Sequence, residues 1–349
     1  MISLEQEREL RITPLDQDIN VGREYLNERS LQVGHVLPVS ESLFKEYFPA
    51  GSSFLVYRGR AVDGLFTYRS GRDKLVPLAG FTLVTDSLTG LKEAIGRIED
   101  TAVAEEKLVV RTRVFGYDRK RLQALKAIGY KIGASVPGAV SLDGKRFDLQ
   151  FLYKELDDHY RFPIRRSYAK PGLYAAVDVE KTKSPKLRVR GYRREDRSLL
   201  DKAATHLNVI RGIAGGVFEG SVPWTPGTYQ EWVDRRSVFP IVCEDESTGE
   251  PVGILDLFKT EWEVTQHLMV LGMYVRAEYQ GLGAGTLLMD GMKTLAKRLN
   301  LARVMLTVFE GNTPAKKLYQ RAGFVECGKL PGWLQEGYIN EIYMVLKLD

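Results

Sequence analysis

The chain has 349 residues, of which 27% are charged and 44% are hydrophobic, and its formal net charge at pH 7 is +5. This composition is typical of folded globular proteins and argues against a disordered or fibrous chain. The length predicts two domains. The small net charge, without a dense block of lysine or arginine, argues against a nucleic-acid partner.

The N-terminus, MISLEQEREL, carries charges where a secretory signal needs an apolar stretch. No later run approaches the roughly 18 apolar residues of a membrane span. We therefore expect a cytoplasmic protein without a membrane partner. Two cysteines, Cys243 and Cys327, and four scattered histidines have neither disulfide nor metal-ligand spacing, so no metal site is predicted.

In chain order, the first strand-like runs are SSFLVYRG and VDGLFTY. The stretch VTDSLTGLKEAIG follows, and then Val110–Gly138, which has the pattern of a strand, a helix and a second strand. Arg165–Val189 is rich in proline, lysine and polar residues and predicts a connection. We place the boundary near residue 180, which gives domains 1–180 and 181–349.

The second half of the chain repeats the first. VFPIVCED and PVGILDL correspond to the two early strands, with Gly253 opposite Gly64. Val110–Gly138 matches Val304–Gly332 without a gap, 194 positions later, through six identities: Val304, Val308, Phe309, Gly323, Pro331 and Gly332. Each half predicts a strand, one or more helices, a meander of about three strands, a helix, a strand, a helix and closing strands. That order describes an α/β unit present twice.

The sequence QGLGAGT, residues 280–286, lies between the strand-like run HLMVLGMYV and a helix with an apolar stripe. A helix N-terminus with glycine backbone binds anions, because its N–H groups are free and approachable. The absence of Gly-Lys-Ser/Thr excludes a nucleoside-triphosphate loop. The Gly-x-Gly-x-Gly spacing fits the dinucleotide fingerprint poorly. A flexible surface turn is the alternative without a function.

Two stretches, MYVRAEYQGLGAGTLLMDGM and LTVFEGNTPAKKLYQRAGF, together resemble the GNAT superfamily of acyl-coenzyme-A-dependent N-acyltransferases. The first carries the family's loop pattern in Gln280, Gly283 and Gly285. The second carries its Asn-x-x-Ala-x-x-x-Tyr-x-x-x-Gly-Phe pattern in Asn312, Ala315, Tyr319, Gly323 and Phe324. The resemblance implies an α/β (α+β) fold in which each half is a mixed, mostly antiparallel sheet flanked by helices. The tandem layout resembles that of mycothiol synthases.

The resemblance implies acetyl-CoA as the acyl donor. Its pyrophosphate would bind the loop formed by Gln280, Gly281, Leu282, Gly283, Ala284, Gly285 and Thr286. The strand residues Met273, Tyr274 and Val275 would hold the pantetheine arm and place an N–H group near the thioester oxygen. Asn312 would contact the cofactor arm, or cap the following helix, and the two roles are compatible.

In the same family a tyrosine at the position of Tyr319 protonates the departing thiolate, and the alternative role for Tyr319 is a packed aromatic. The general base is left open. Some family members have a glutamate where this chain has Met269. The candidates here are His267, Asp256 and Glu341, or a water chain, and His267 also fits a structural role.

The first half lacks the features of the cofactor site. Its loop has one glycine, Gly90, and offers Asp86, which would repel a pyrophosphate. Asp118 stands opposite Asn312, and Leu125 stands opposite Tyr319. We expect this half to pack against the second half or to shape the acceptor pocket.

The predicted function is an N-acetyltransferase, in which a primary amine directly attacks acetyl-CoA in the C-terminal domain. The alternative is a non-catalytic acyl-CoA-binding regulatory module. An amino acid, an aminoglycoside, a polyamine or a protein N-terminus could be the acceptor, and we favour a small molecule. Residues 205–232 occupy the family's substrate-covering region, where Trp224, Tyr229 and Trp232 could be pocket walls or core.

Overall fold

The computed structural model describes residues 10–70, 78–156, 182–196, 199, 226–334 and 337–349. The chain divides into two compact units. The N-terminal unit is Met1–Phe162 with Gly215–Gly220 and Trp262–Val264, and the C-terminal unit holds the remainder. The predicted boundary near residue 180, and the predicted pocket residue Trp224, lie outside the described residues.

In the N-terminal unit, the described strands are β1 (Leu10–Pro14), β2 (Ser53–Arg58), β3 (Ala61–Ser70), β4 (Leu78–Val84), β5 (Val109–Phe115), β6 (Lys131–Leu142) and β7 (Lys145–Glu155). Its described α-helices are α1 (Ile19–Asn27), α2 (Glu41–Tyr47), α3 (Leu88–Ala104) and α4 (Arg119–Ala127). The strand order is β1-β2-β3-β4-β5-β7-β6. Only β4 and β5 pair in parallel; the other described pairs of this unit are antiparallel.

In the C-terminal unit, the described strands are β8 (Leu187–Gly191), β9 (Val238–Asp245), β10 (Glu250–Lys259), β11 (Leu268–Val275), β12 (Arg303–Phe309), β13 (Val325–Leu334) and β14 (Gly337–Lys347). Its described α-helices are α5 (Pro226–Asp234), α6 (Ala284–Arg298) and α7 (Thr313–Arg321). The strand order is β8-β9-β10-β11-β12-β14-β13, with β11 and β12 as the parallel pair. Within the described strands, both units therefore have the same strand order and the same position for their parallel pair.

The main core of the C-terminal unit lies between its sheet and the helices α6 and α7. Alternate side chains of β10, β11, β12 and β14 enter this core, because successive residues of a strand point to opposite faces. A smaller apolar cluster on the other face of the sheet includes Tyr229 of α5 and Ile254 of β10. A mixed, mostly antiparallel sheet flanked by helices confirms the predicted fold class.

Candidate active site

The parallel strands β11 and β12 separate along their length. Leu268–Val270 pairs with Arg303–Met305, but no pairing continues to the strand ends at Val275 and Phe309. The outer edges of the two strands stay bonded, β11 to β10 and β12 to β14. The inner edges beyond Val270 and Met305 therefore face a gap that can accept the polar groups of an extended ligand.

Two hydrogen bonds fix the direction of the β11 backbone. The His267 carbonyl accepts from the Arg303 N–H at 3.1 Å, towards β12, whereas the Arg276 N–H donates to the Val252 carbonyl at 2.9 Å, towards β10. Backbone polar groups alternate sides along a strand. The odd-numbered residues Leu271, Met273 and Val275 therefore direct their backbone groups into the gap.

This geometry corrects the prediction for Tyr274. Its backbone is directed towards Ile254 of β10, and its side chain packs on the sheet face that carries Tyr229. Burial raises the pKa of the Tyr274 phenol. Met273 stays a candidate for contact with the pantetheine arm through its backbone. Val275 keeps only its N–H for a ligand, because its carbonyl accepts from Gln280 Nε2 at 3.0 Å.

The glycine loop connects β11 to α6 through a 3-10 turn at Ala277–Tyr279. Gly281 and Gly283 have φ angles of +82° and +100°, which side chains disfavour. Gly283 is the N-cap of α6, and no side chain caps the helix there. Within the described residues, no acceptor receives a hydrogen bond from the N–H groups of Gly281, Gly283, Ala284, Gly285 and Thr286.

These bare amides meet the requirements of an anion site, because they stand at the positive end of a helix dipole. Fewer residues of the loop have a free N–H group than the predicted cofactor site contains. The Gln280 N–H donates to Ala277 at 3.2 Å and the Leu282 N–H donates to Tyr279 at 3.3 Å, so both amides are used internally. The remaining five residues form what we call the amide cradle: Gly281, Gly283, Ala284, Gly285 and Thr286.

The third glycine of the loop serves packing. A Cβ atom on Gly285 would lie 2.8 Å from Leu318 Cδ2, so a side chain at this position would have to displace the end of the Leu318 side chain on α7. A Cβ atom on Gly281 or Gly283 would meet nothing within 4 Å. Those two glycines are therefore required by their positive φ angles, and the space above them is open to a ligand.

Tyr319 lies on α7 and is only 8% exposed, in the same core as Leu288. Burial raises the pKa of its phenol to about 12, so the hydroxyl keeps its proton at neutral pH. Its ring centroid lies 6.0 Å from that of Phe324. Among the described residues, no hydrogen bond occupies the Tyr319 hydroxyl. Asn312 caps α7, since its Oδ1 accepts from the Ala315 N–H at 3.3 Å.

Asp256 lies on the sheet face opposite α6 and is 8% exposed. Its neighbours across the ladder are Pro240 of β9 and Gly272 of β11. The Tyr229 hydroxyl donates to Asp256 Oδ1. Burial raises the pKa of the Asp256 carboxyl to about 7, and the hydrogen bond from Tyr229 opposes that rise. The carboxyl is one strand away from the gap, a backbone spacing of about 5 Å.

The other two base candidates fall at different places. His267 precedes β11 at the end where β11 and β12 pair, six residues and about 20 Å of strand from Met273. The structure therefore places His267 away from the end of β11 where the gap opens, and its role as the base stays a prediction. Glu341 is 3% exposed and pairs with Phe309 at the open end of the gap. Since Ile342 enters the α6 core, Glu341 shares the sheet face of Asp256.

The corresponding helix start in the N-terminal unit is already satisfied. Ser87 caps α3, and its Oγ accepts from the Gly90 N–H at 3.0 Å. Beside it, Asp86 accepts from Arg29 Nε at 2.8 Å and from Gln32 Nε2 at 2.6 Å. The Ser87 hydroxyl therefore already uses an N–H group of the first turn of α3. The neighbouring Asp86 carboxylate would repel a pyrophosphate.

The gap between β4 and β5 is partly occupied by side chains of the same unit, and a small cavity remains there. The two strands pair only at Leu78–Gly80 and Val109–Arg111. Beyond that point, Arg121 Nη1 donates to the Leu83 carbonyl at 2.7 Å, and the Thr85 N–H donates to Gln32 Oε1 at 2.9 Å. These side chains satisfy the strand edge that stays free in the C-terminal unit.

Comparison with known proteins identifies the stretch that carries the cradle and Tyr319. Residues 210–324 match the model of the acetyltransferase (GNAT) family. The matched region is similar to acetyltransferases of the GNAT family. YwnH of Bacillus subtilis (strain 168), whose name assigns it provisionally as a phosphinothricin acetyltransferase, is 28% identical over 116 residues, 32% of this chain and 69% of that protein. The predicted enzyme class is thereby confirmed.

Solved structures similar to the chain include two acetyltransferases. The acetyltransferase of GNAT family from Streptococcus pneumoniae is 20% identical and covers 47% of this chain and 100% of its own, with a TM-score of 0.40. The spermidine N-acetyltransferase from Vibrio cholerae, solved in complex with CoA and spermine, is 21% identical and covers 46% and 95%, with a TM-score of 0.39.

The described helices include none long and apolar enough to cross a membrane. The described residues also contain no group of three or more histidine, cysteine or acidic side chains that could hold a metal ion. Two features of the site had no signal in the sequence: the Tyr229–Asp256 hydrogen bond and the side chains that partly occupy the β4–β5 gap. Both depend on packing between segments far apart in the chain.

Proposed function

We propose that the protein is an acetyl-CoA-dependent N-acetyltransferase whose active site lies in the C-terminal unit. The observation that carries the proposal is the amide cradle, five unbonded N–H groups at the start of α6, beside the free inner edge of β11. A pyrophosphate needs such donors, and a pantetheine arm, with its two amides, needs such a strand edge. The chain offers both on consecutive elements.

When bound, acetyl-CoA supplies the thioester that an amine attacks. The Met273 N–H, directed into the gap, donates to the thioester oxygen as negative charge develops there. Asp256 takes the proton of the attacking amine, directly or through one water. Tyr319, kept protonated by its raised phenol pKa, donates a proton to the leaving thiolate. Each role falls on a separate element of the C-terminal unit.

The two units are proposed to be tandem GNAT-like folds, of which the first has lost its cofactor site. Their equal strand orders support this assignment. So do the Ser87 cap and the Arg121 contact, which occupy the positions where the second unit has the cradle and the free strand edge. The acceptor is proposed to be a small amine, a class that includes the substrates named for phosphinothricin and spermidine acetyltransferases.

Turnover is expected to depend on pH through Asp256. An amine is activated only when the Asp256 carboxyl is ionised, and its pKa is about 7. The value of kcat/KM should therefore rise about tenfold per pH unit below pH 7 and level off above it. Thiol release from acetyl-CoA, followed between pH 5.5 and 9 with the amine well below its KM and corrected for that amine's own titration, measures this profile. A flat profile below pH 7 would remove Asp256 from the mechanism.

The second candidate function is a non-catalytic acyl-CoA-binding module. The cradle would serve that function equally well, whereas the buried, protonated Tyr319 and the ionisable Asp256 would have no role in it. A panel of amino acids, aminoglycosides, polyamines and peptide N-termini, assayed for free-thiol release, separates the two. Acetyl-CoA binding without thiol release on the whole panel would favour the module.

A further inference from the structure

Asp256 has one described hydrogen-bond donor, the hydroxyl of Tyr229. Its two neighbours across the ladder, Pro240 and Gly272, have no polar side-chain group and give the carboxylate no hydrogen bond. An unoriented carboxylate on a sheet surface samples several rotamers. The orientation of Asp256 therefore depends on α5, the helix that supplies Tyr229.

Tyr229 is itself held rigidly. Its side chain is 0% exposed in a cluster with Leu199, Val238, Val242 and Ile254. The ring of Tyr192 stands against it edge to face, with centroids 5.8 Å apart and an interplanar angle of 70°. A close-packed aromatic ring has little rotamer freedom, so the hydroxyl is fixed in position.

We propose that Tyr229 is a positioning residue, whose hydroxyl holds the Asp256 carboxylate in place so that its second oxygen, Oδ2, takes the proton of the acceptor amine. The inference rests on the proposed function, because it assigns Asp256 as the general base. In the step, the amine nitrogen forms a bond to the acetyl carbon and loses its proton to Asp256, while the bond from that carbon to sulfur breaks and the coenzyme A thiolate leaves with a proton from Tyr319. Tyr229 keeps its own proton throughout.

Gly272 keeps the way from Asp256 to the β11–β12 gap open. It stands between the two on the same sheet face and offers no side chain, although a Cβ atom there would lie 3.2 Å from Phe258 Cε2. The residue is partly exposed. An acceptor amine, or a water that relays its proton, can therefore reach both the carboxylate and the gap.

The electrostatics around the pair agree with this role. Among the described residues, the ionisable groups on this face of the sheet include the phenols of Tyr229 and Tyr274 and the carboxyl of Glu341. Tyr192 and Asp196 act on Tyr229, and Asp196 is paired with Arg190. Burial and the Asp256 charge raise the pKa of the Tyr229 phenol, so it remains a donor. Its hydrogen bond favours the ionised carboxylate and lowers the pKa of Asp256.

The test is the pH profile of Tyr229→Phe, measured on the full chain. Losing one hydrogen bond to a charged group should move the midpoint of the acid limb of kcat/KM up by about one pH unit. Turnover should then fall about tenfold at pH 6 and return close to the wild-type value at pH 9. Because the cradle is on another element, the KM for acetyl-CoA should not change.

The matched control is Tyr192→Phe, which keeps the neighbouring ring and removes a hydroxyl that does not contact Asp256; its midpoint should match the wild type. A purely structural role for Tyr229 predicts an equal loss of turnover at every pH, and that result would overturn the inference. Should Tyr229→Phe fail to fold, 3-fluorotyrosine at position 229 gives the opposite shift. Its more acidic hydroxyl strengthens the hydrogen bond and should lower the midpoint.

The outcomes separate this inference from the proposed function. Absence of turnover in the wild type contradicts the proposed function. An acid limb that persists in Asp256→Asn assigns the base to another group, which removes the basis for a positioning role. A third outcome overturns the role of Tyr229 alone. In it, the acid limb of the kcat/KM profile disappears in Asp256→Asn, but its midpoint in Tyr229→Phe is the same as in the wild type.

Discussion

Replacement of Gly283 by valine is expected to weaken acetyl-CoA binding by at least about 100-fold while leaving the fold intact. Gly283 has a φ angle of +100°, where a β-branched residue is strained by about 1–2 kcal/mol. The backbone relieves this strain by rotating, which turns the neighbouring amides away from a shared anion. Losing one or two hydrogen bonds to a pyrophosphate, each contributing about 1.5–3 kcal/mol, gives the stated factor.

The matched control for this variant is Gly249→Val. Gly249 has a φ angle of +73° and, like Gly283, nothing within 4 Å of an added Cβ atom, but it lies in the turn between β9 and β10. Both variants should lose similar stability in thermal melts, and only Gly283→Val should lose affinity in calorimetric titration with acetyl-CoA. Affinity within threefold of the wild type would show that the cradle does not bind the pyrophosphate.

Tyr319→Phe is expected to lower kcat by about 100-fold with little change in the dissociation constant for acetyl-CoA. The substitution keeps the buried ring against Phe324 and removes only the proton donor. General acid catalysis contributes about 10²–10⁴ to a rate, and thiolate departure needs less assistance than alkoxide departure. The lower end of that range is therefore appropriate.

Tyr130→Phe is the control for Tyr319→Phe. Tyr130 is a buried tyrosine of the N-terminal unit, remote in sequence from the proposed active site. Its substitution should leave kcat unchanged. Stopped-flow measurement of thiol release, together with equilibrium binding of acetyl-CoA, distinguishes a lost acid from a lost binding contact. Unchanged turnover in Tyr319→Phe would return this residue to a packing role.

The sequence predicted the elements around QGLGAGT well, because glycine spacing and apolar periodicity are local signals. It could not distinguish the three glycines from one another. Gly281 and Gly283 have positive φ angles, whereas Gly285 lies against the side chain of Leu318, which is 33 positions away and on another helix. Contacts of that kind depend on how helices pack, and a local pattern does not contain them.

The candidates for the base show a second limit. Strand parity predicts which face or edge a residue occupies, but it does not say where two parallel strands separate. His267 has the parity of Val275 and still lies at the paired end of β11, far from the gap. Tyr229, by contrast, contacts Asp256 only because α5 packs on the sheet. Helix docking brought together two residues that no spacing rule connects.

The two helix starts, one capped by Ser87 and one bare at Gly283, give the two units different amide exchange. Without any ligand, the Gly90 N–H is already protected by the Ser87 hydroxyl, while the amides of the cradle are free to exchange with solvent. Acetyl-CoA should therefore slow deuterium uptake in the peptide that spans 281–286 and leave the peptide that spans 88–91 unchanged. Equal slowing in both would mean that the N-terminal unit has kept a cofactor site. The rate of isotope uptake thus shows which unit satisfies the first amides of its helix with its own side chain and which unit leaves them available to a ligand.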